Sequence, residues 1–380
     1  MPITLDGTNG ITTPMYNGSI TANAVTPSVN MKNRIINGAM VIDQRNAGAS
    51  VTVNSTTQTF SVDRWWASGQ ATDGVFTMQQ SSVSPTGFSN SLISTVTTAD
   101  SSIGATQRYY IAQRIEGFNT ADLGWGTANA RTVTLSFWVR SSVTGTFGGF
   151  IYNSAADYSY PFTYTINAAN TWEFETITIV GPTAGTWLGA TNGVGMQIGW
   201  SLGAGSTVSG TAGSWAASQF FGATGQTNII ATNGATFYIT GVQLEVGSTA
   251  TSFDYRPYGT ELALCQRYYF KIFPADTNSN LATGYVNSST TASLTGNYPV
   301  VLRVAPTALE QSGTAGNYRI VSPVGSADCS SVPTFATNTN QYQYGVTFTV
   351  ASGLTTGYGA TGRTGSTTGA SAYLAWSAEL

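Results

Sequence analysis

The sequence predicts an all-β protein: a jelly-roll β-sandwich followed by a smaller C-terminal β-sandwich domain, with an extended N-terminal arm. Three observations predict it. From about residue 33 to residue 258 apolar residues recur with period two between Gly, Asn and Ser clusters, the pattern of half-buried strands. Charged residues make up only 8% of the 380, against about 25% in ordinary globular chains. Aromatic residues at 12% and apolar residues at 41% supply burial that a disordered chain of equal polarity lacks.

The elements follow in order. Residues 1–30 scatter short apolar residues among Gly, Asn, Pro and Thr, with no face long enough to make a core. Isolated extended backbone has only water for its N–H and C=O groups, so this arm is expected either to lie on another chain or to fray. In RTVTLSFWVRSS, Val133, Leu135, Phe137 and Val139 share one face, and Thr134, Ser136, Trp138 and Arg140 the other. Such a sheet is buried on one side, and the outward Trp138 needs a partner. In ATFYITGVQLEVGS, Phe237 and Ile239 keep one register and Val242, Leu244 and Val246 the other, which places Gly241 at a bulge. WEFETITIVGP predicts a similar switch after Phe174. YRPYGTELALCQRYYF carries helix formers after a Pro-Gly break and is expected to be helical at a domain junction. QYQYGVTFTVAS alternates throughout, and the chain finishes on a strand in SAYLAWSAEL. Three segments result: an arm over 1–30, a jelly roll over 31–258 and a C-terminal β-domain over 259–380.

Composition excludes several functions. Only Lys32 and Lys271 are lysines, and the arginines are scattered, so no basic stripe exists to neutralise phosphates and no nucleic acid is expected. There is no histidine, which removes serine–histidine triads and most zinc or iron sites. The opening MPITLDGTNG has neither a basic nor an apolar region, and no apolar run approaches membrane-spanning length. Neither a signal peptide nor membrane insertion is therefore expected. Cys265 and Cys329 are expected as buried thiols rather than a bridge. Glu173 and Glu175 fall at i and i+2 on one strand, with Asp157 nearby, a weak echo of a glycosidase pair without a cleft signature. The chain is expected not to be an enzyme.

Several motifs then occur in a telling order: MPITLDGTNGITTP, NRIINGAMVIDQRNAG, SVDRWWA, QRIEG, LSFWVRSS, and above all FYITGVQLEVGSTATSFDYRPYGTELALCQRYY. Together they resemble the phage tail-fibre and minor tail protein family whose members carry a carbohydrate-binding-module-like jelly roll. PVVLRVAPT, CSSVP, ASGLTTG and AYLAWSAEL are similar to the C-terminal domain of the same fibres. The resemblance implies a virion structural protein without a cofactor, assembled as a homotrimer whose C-terminal β-domain makes the distal tip. It implies residues 1–30 docking on other virion proteins, location in the virion, and attachment of the particle to host cell-surface polysaccharide. Modules of this kind often carry a structural calcium, yet no oxygen-rich loop is evident, so no metal is assigned. The alternative is a capsid decoration, head-fibre or baseplate protein without glycan binding, and a polysaccharide depolymerase ranks third.

A neutral Ser, Thr, Gly and Asn surface rich in aromatics suits sugars, which offer hydroxyls to hydrogen-bond and ring faces to stack. The candidate stacking residues are Trp125, Trp187 and Trp215, all in loops rich in glycine or small residues, with Tyr158 and Tyr160 just before a proline. Capping the core or packing between chains is the competing role for each. In SVDRWW, Trp65 and Trp66 point to opposite faces, so one at most is expected in the core, and Asp63 with Arg64 offers an ion pair.

Overall fold

The computed structural model describes residues 31–70, 73–273, 276–365 and 372–380, together with two short strands, β1 (Thr4–Asp6) and β2 (Gly10–Thr12), that pair antiparallel. Apart from those strands, the arm expected over 1–30 lies outside the described residues.

The strands of the first unit are β3 (Val51–Val53), β4 (Thr59–Phe60), β5 (Trp66–Ser68), β6 (Val75–Ser81), β7 (Ser91–Thr98), β8 (Arg108–Glu116) and β9 (Val133–Ser141). They continue through β10 (Gly145–Asn153), β11 (Ser159–Ile166), β12 (Glu173–Ile179), β13 (Val194–Ala204), β14 (Ser209–Gly210), β15 (Gly222–Ala223) and β16 (Thr236–Val246). Two six-stranded sheets result, ordered β11-β10-β13-β8-β5-β4 and β12-β9-β16-β7-β6-β3. They face each other across one core, in which Trp200 packs against Trp65 at 5.6 Å and edge-on to Phe137 at 5.4 Å. This is the predicted sandwich, and Val133, Leu135, Phe137 and Val139 fill it. Trp65 belongs to that core. Trp66 takes the opposite face, as alternation requires, but it is buried too, in a second cluster with Tyr110, Phe150 and Phe221. Arg114 lies over its ring.

Gly241 stands at the expected bulge, with φ +61° and a one-residue shift between the pairs Thr240–Trp138 and Gln243–Ser136. The expected switch after Phe174 is absent: β12 pairs with β9 without interruption from Glu173 to Ile179. Apolar residues appear in both registers there because both faces of β12 carry them.

After the sandwich, helix α1 (Tyr258–Gln266) occupies the predicted position. Beyond it lie β17 (Tyr269–Ile272), β18 (Asn280–Val286), β19 (Thr291–Asn297), β20 (Glu310–Gln311), β21 (Tyr318–Ser322), β22 (Gly325–Phe335), β23 (Gln343–Val350), β24 (Gly359–Thr364) and β25 (Leu374–Ser377). The second β unit differs from the expected small sandwich in one respect: β18-β19-β23-β22-β21-β24 close into a barrel, with β17-β25-β20 as a separate sheet. Closure removes the sheet edges. It also disposes of the alternating face of β23, since Tyr344, Val346, Phe348 and Val350 fill the barrel and its adjoining core. Only Tyr342, 65% exposed, is left outside, so this face makes no demand for a partner chain. Trp376 of β25 stacks on Tyr344 at 4.2 Å.

A polar joint ties the two units. Arg64 pairs with Glu379 rather than with Asp63 and stacks over Tyr268, while Arg45 stacks over Tyr269. Arg267 and Tyr268 both donate to Glu116, at 2.6 Å each at closest. Asp63 is buried in this joint, its carboxylate accepting from Gln44 N at 2.8 Å and Gln44 Nε2 at 2.5 Å. Burial raises its pKa to about 7, against the pull of those hydrogen bonds and of Arg45. An acid whose folded pKa is raised binds its proton more tightly when folded, so stability falls as pH rises from about 4 to about 7. The slope reaches at most about 1.4 kcal/mol per pH unit. Urea unfolding across that range should show this decline, and Asp63→Asn should flatten it.

Cys265 and Cys329 are free and buried, as expected, and burial raises both thiols, Cys329 to about 12. Neither should react with a thiol reagent before unfolding exposes it.

Candidate functional site

The five aromatic residues singled out in the sequence meet in one cluster at the rim of the sandwich. Trp125, Trp187 and Trp215 form a triad with centroids 4.9–5.6 Å apart and ring planes nearly perpendicular. Tyr158 stacks parallel on Trp215 at 5.7 Å, and Tyr160 leans on it at 5.2 Å. Each indole N–H is already used: Trp125 donates to Arg131 O, Trp187 to Ala184 O and Trp215 to Val180 O, at 2.8–3.1 Å. Trp125, 6% exposed, and Tyr160 are buried, whereas Trp187, Trp215 and Tyr158 are half-buried and show part of their rings. The cluster closes one end of the core and pins three loops to one another.

A second aromatic assembly lies on the outward face of the β9 sheet. Trp138 and Phe174 are direct cross-strand partners, with centroids 5.3 Å apart, so Phe174 is the partner that Trp138 requires. Phe174 is 47% exposed. Along the same face, Trp172 meets Tyr238 at 6.0 Å, and Arg140 lies over the Tyr238 ring. Toward the other end, Phe88, Phe253 and Tyr255 make a ridge with centroids 4.9–5.4 Å apart, and Tyr255 is 59% exposed.

The chain after β16 creates this ridge. Glu245 accepts from Thr251 N and Thr251 Oγ1, and Gln243 accepts from Asp254 N at 2.8 Å. Residues 251–254 are thereby folded back over the outward face of β16, burying Gln243 and Glu245 beneath them. The fold-back divides the surface into two cavities that share Phe88, Phe253 and Tyr255. One, of about 390 Å³, is bounded by Trp138, Phe174, Ser136 and Thr251. The other, of about 370 Å³, is bounded by Asn33, Gly38, Asp254, Arg256 and Glu261. A ring flanked by hydroxyls is the common feature of the first, and charged groups are confined to the second.

Much of the second cavity's polarity is committed to structure. Arg256 donates to the backbone of Asn33 and Ile35 and pairs with Glu261 at 3.3 Å, and Glu261 accepts from Asn37 N. Asn33 in turn bonds Val242 O, Leu244 N and Ile35 N. The motifs NRIING and DYRPYGTE therefore clasp residues 33–37 to the start of α1. Trp138 is different. Its indole N–H meets solvent and has no partner in the protein among the described residues.

Gly241 holds the ridge against the sheet. An added Cβ would come within 2.6 Å of the Phe88 ring and 3.1 Å of Trp138, at a φ of +61° that side chains disfavour by about 1–2 kcal/mol. Gly241→Ala should lower unfolding free energy by at least that amount and disturb any ligand held between Phe88 and Trp138.

Glu173 and Glu175 lie on one strand as expected; pairing across from Val139 and Phe137, they share the core-side face of an edge strand. The Glu173 carboxylate accepts from Asn167 N, Ala168 N and Asn167 Nδ2. Its pKa is lowered because these bonds outweigh desolvation, whereas burial and then the charge of Glu173 raise that of Glu175. Among the described residues no group of three or more acidic or thiol side chains gathers, so no carboxylate set is assembled for a calcium ion.

The outward platform was signalled in the sequence only by Trp138 on a polar face. Phe88, Phe253 and Tyr255 reach it through a fold-back that has no periodicity of its own.

No family model matches the sequence, and no curated protein matches it. Among solved structures, the enzymatically active domain of tailspike protein 4 from bacteriophage CBA120 is 15% identical, covering 57% of this chain and 21% of that one, with a TM-score of 0.29. The chain thus spans about a fifth of that domain's length. A family 11 carbohydrate-binding module of a cellulosomal cellulase from Clostridium thermocellum is 11% identical over 54% of this chain and 99% of its own, with a TM-score of 0.27. An arabinose-bound α-L-arabinofuranosidase is 14% identical over 54% and 28%, with a TM-score of 0.28. One of these neighbours is described as a carbohydrate-binding module. They also correct the expectation that the chain is not an enzyme: two of the three are described as enzymes or enzymatically active, and that exclusion is withdrawn.

Proposed function

We propose that this chain is a virion protein of the tail-fibre class that attaches the particle to a host surface glycan, and that Trp138 and Phe174 form the contact surface. One observation carries the reading: a half-buried indole, with its N–H free, is paired with an exposed phenyl ring in a hydroxyl-lined cavity. Rings of this kind cover the apolar faces of a sugar, while the indole N–H and the flanking Ser136 hydroxyl serve its hydroxyls and Thr251 Oγ1, whose proton goes to Glu245, is left to accept. The ordered motifs resembling tail-fibre proteins support placement in the virion, assembly as a homotrimer and docking through residues 1–30. The rim of Trp187, Trp215 and Tyr158 is a second surface that the same assay addresses.

The test is binding of labelled full-length protein to intact host cells, before and after their surface polysaccharide is stripped. Saturable binding that disappears on stripping is expected. Binding that survives stripping, or none at micromolar concentration, would reject the glycan reading. Sedimentation of the same preparation should give the mass of three chains, and a monomer that resists association would remove the trimer.

A further inference from the structure

We infer that the C-terminal barrel carries a second saccharide-binding groove, built for a neutral glycan and separate from the sandwich platform. The groove, of about 530 Å³, crosses the outer face of β18, β19 and β23 and is roofed by the turn after β22. Tyr285 stands at one side, 57% exposed, and Phe335 at the other. Between them the strands present hydroxyls in register: Tyr285 is paired with Ser293, and Ser293 with Thr347. At about 4.8 Å per strand, that row spans about 10 Å. Thr295 adds a further hydroxyl on the same face of β19.

These groups are available. Among the described residues, the hydroxyls of Tyr285, Ser293, Thr295 and Thr347 have no partner in the protein, nor does the Asn338 carboxamide. That carboxamide is nevertheless placed. A Cβ at Gly345 would overlap it, so the missing side chain makes its seat. The turn carrying it is tied down by Gly345 N donating to Thr339 Oγ1 at 2.9 Å and Ala336 N donating to Gly345 O at 3.2 Å. Hydroxyl and carboxamide groups both donate and accept, matching the dual character of sugar hydroxyls, and the exposed Tyr285 ring offers a stacking face, with the half-buried Phe335 closing the far side. No charged residue lines the groove. An acidic glycan or an ionic peptide would lose hydration there without gaining a counter-charge, which selects a neutral polyol.

The experiment is native electrophoresis of the full chain through gels containing neutral polysaccharides (dextran, mannan, xylan and mixed-linked β-glucan) or acidic ones (alginate and hyaluronate). The net charge of −3 carries the protein toward the anode. With the sandwich platform removed by Trp138→Ala and Phe174→Ala, retardation should persist in at least one neutral gel. Adding Tyr285→Ala should weaken it about tenfold with an unchanged unfolding midpoint. If Tyr285→Ala fails to fold, Thr347→Lys, which fills the groove from its floor, takes its place. The inference is overturned if no neutral gel retards the Trp138→Ala, Phe174→Ala protein, if only acidic gels do, or if both groove variants leave retardation unchanged. It is also overturned if Tyr285→Ala instead lowers the sedimented mass, which would make the groove a contact between copies. Failure of the sandwich reading looks different: Tyr285→Ala alone would then abolish all retardation.

Discussion

Replacing Trp138 and Phe174 together by alanine should weaken glycan binding by roughly two orders of magnitude, at about 1–3 kcal/mol for each truncated stacking ring. Stability should change little. Phe174 is about half exposed, and Trp138 contributes nothing to the core between the sheets, so their truncation opens no internal cavity. Titration with the retarding polysaccharide and urea unfolding of the same variant check the two halves of this expectation. A large loss of stability with unchanged binding would mean that the pair is packing rather than a platform. The single variants separate the contributions, with Trp138 expected to dominate because it offers an N–H as well as a ring.

Trp125→Ala should have the opposite profile, costing about 3–5 kcal/mol of stability. Trp125 touches both Trp187 and Trp215 and bonds Arg131 O, so its removal leaves a void at the end of the core and releases the loop that it pins. Gly126 and Gly181 already approach this group so closely that added side chains would collide with Trp187 and Trp125, which leaves little room for collapse to fill the gap. Saccharide affinity per folded molecule should stay the same. Tyr158→Ala tests the exposed rim: a loss of binding without a loss of stability would move the glycan contact to this end of the sandwich.

How much of this was legible in the sequence depends on the range of the interaction. The inward row Val133–Val139, the bulge at Gly241 and the helix at 258–266 are set by neighbours along the chain, and each was readable. Phe174 misled because a register break and a strand apolar on both faces give the same local pattern. One of Trp65 and Trp66 was expected outside the core, and nothing near Trp66 in the sequence announces that Tyr110, Phe150 and Phe221 gather with it in a second cluster. The closure of β18 onto β24 joins strands about 80 residues apart by specific backbone pairing, which alternation cannot distinguish from two stacked sheets. The five candidate aromatics were legible as a chemical type. Their convergence was not, nor was the use of all three indole N–H groups on backbone carbonyls.

The clasp between residues 33–37 and the start of α1 has a mechanical consequence. Asn37 is held by Glu261, Asn33 and Ile35 by Arg256, and Ile36 packs with Cys265 and Tyr268. Tension applied between residue 31 and the barrel is therefore shared side by side by these bonds, and the strands of the sandwich lie outside the shortest path of the load. A pulling experiment between those two points should first break the clasp, lengthening the molecule only after that by unravelling the sheets.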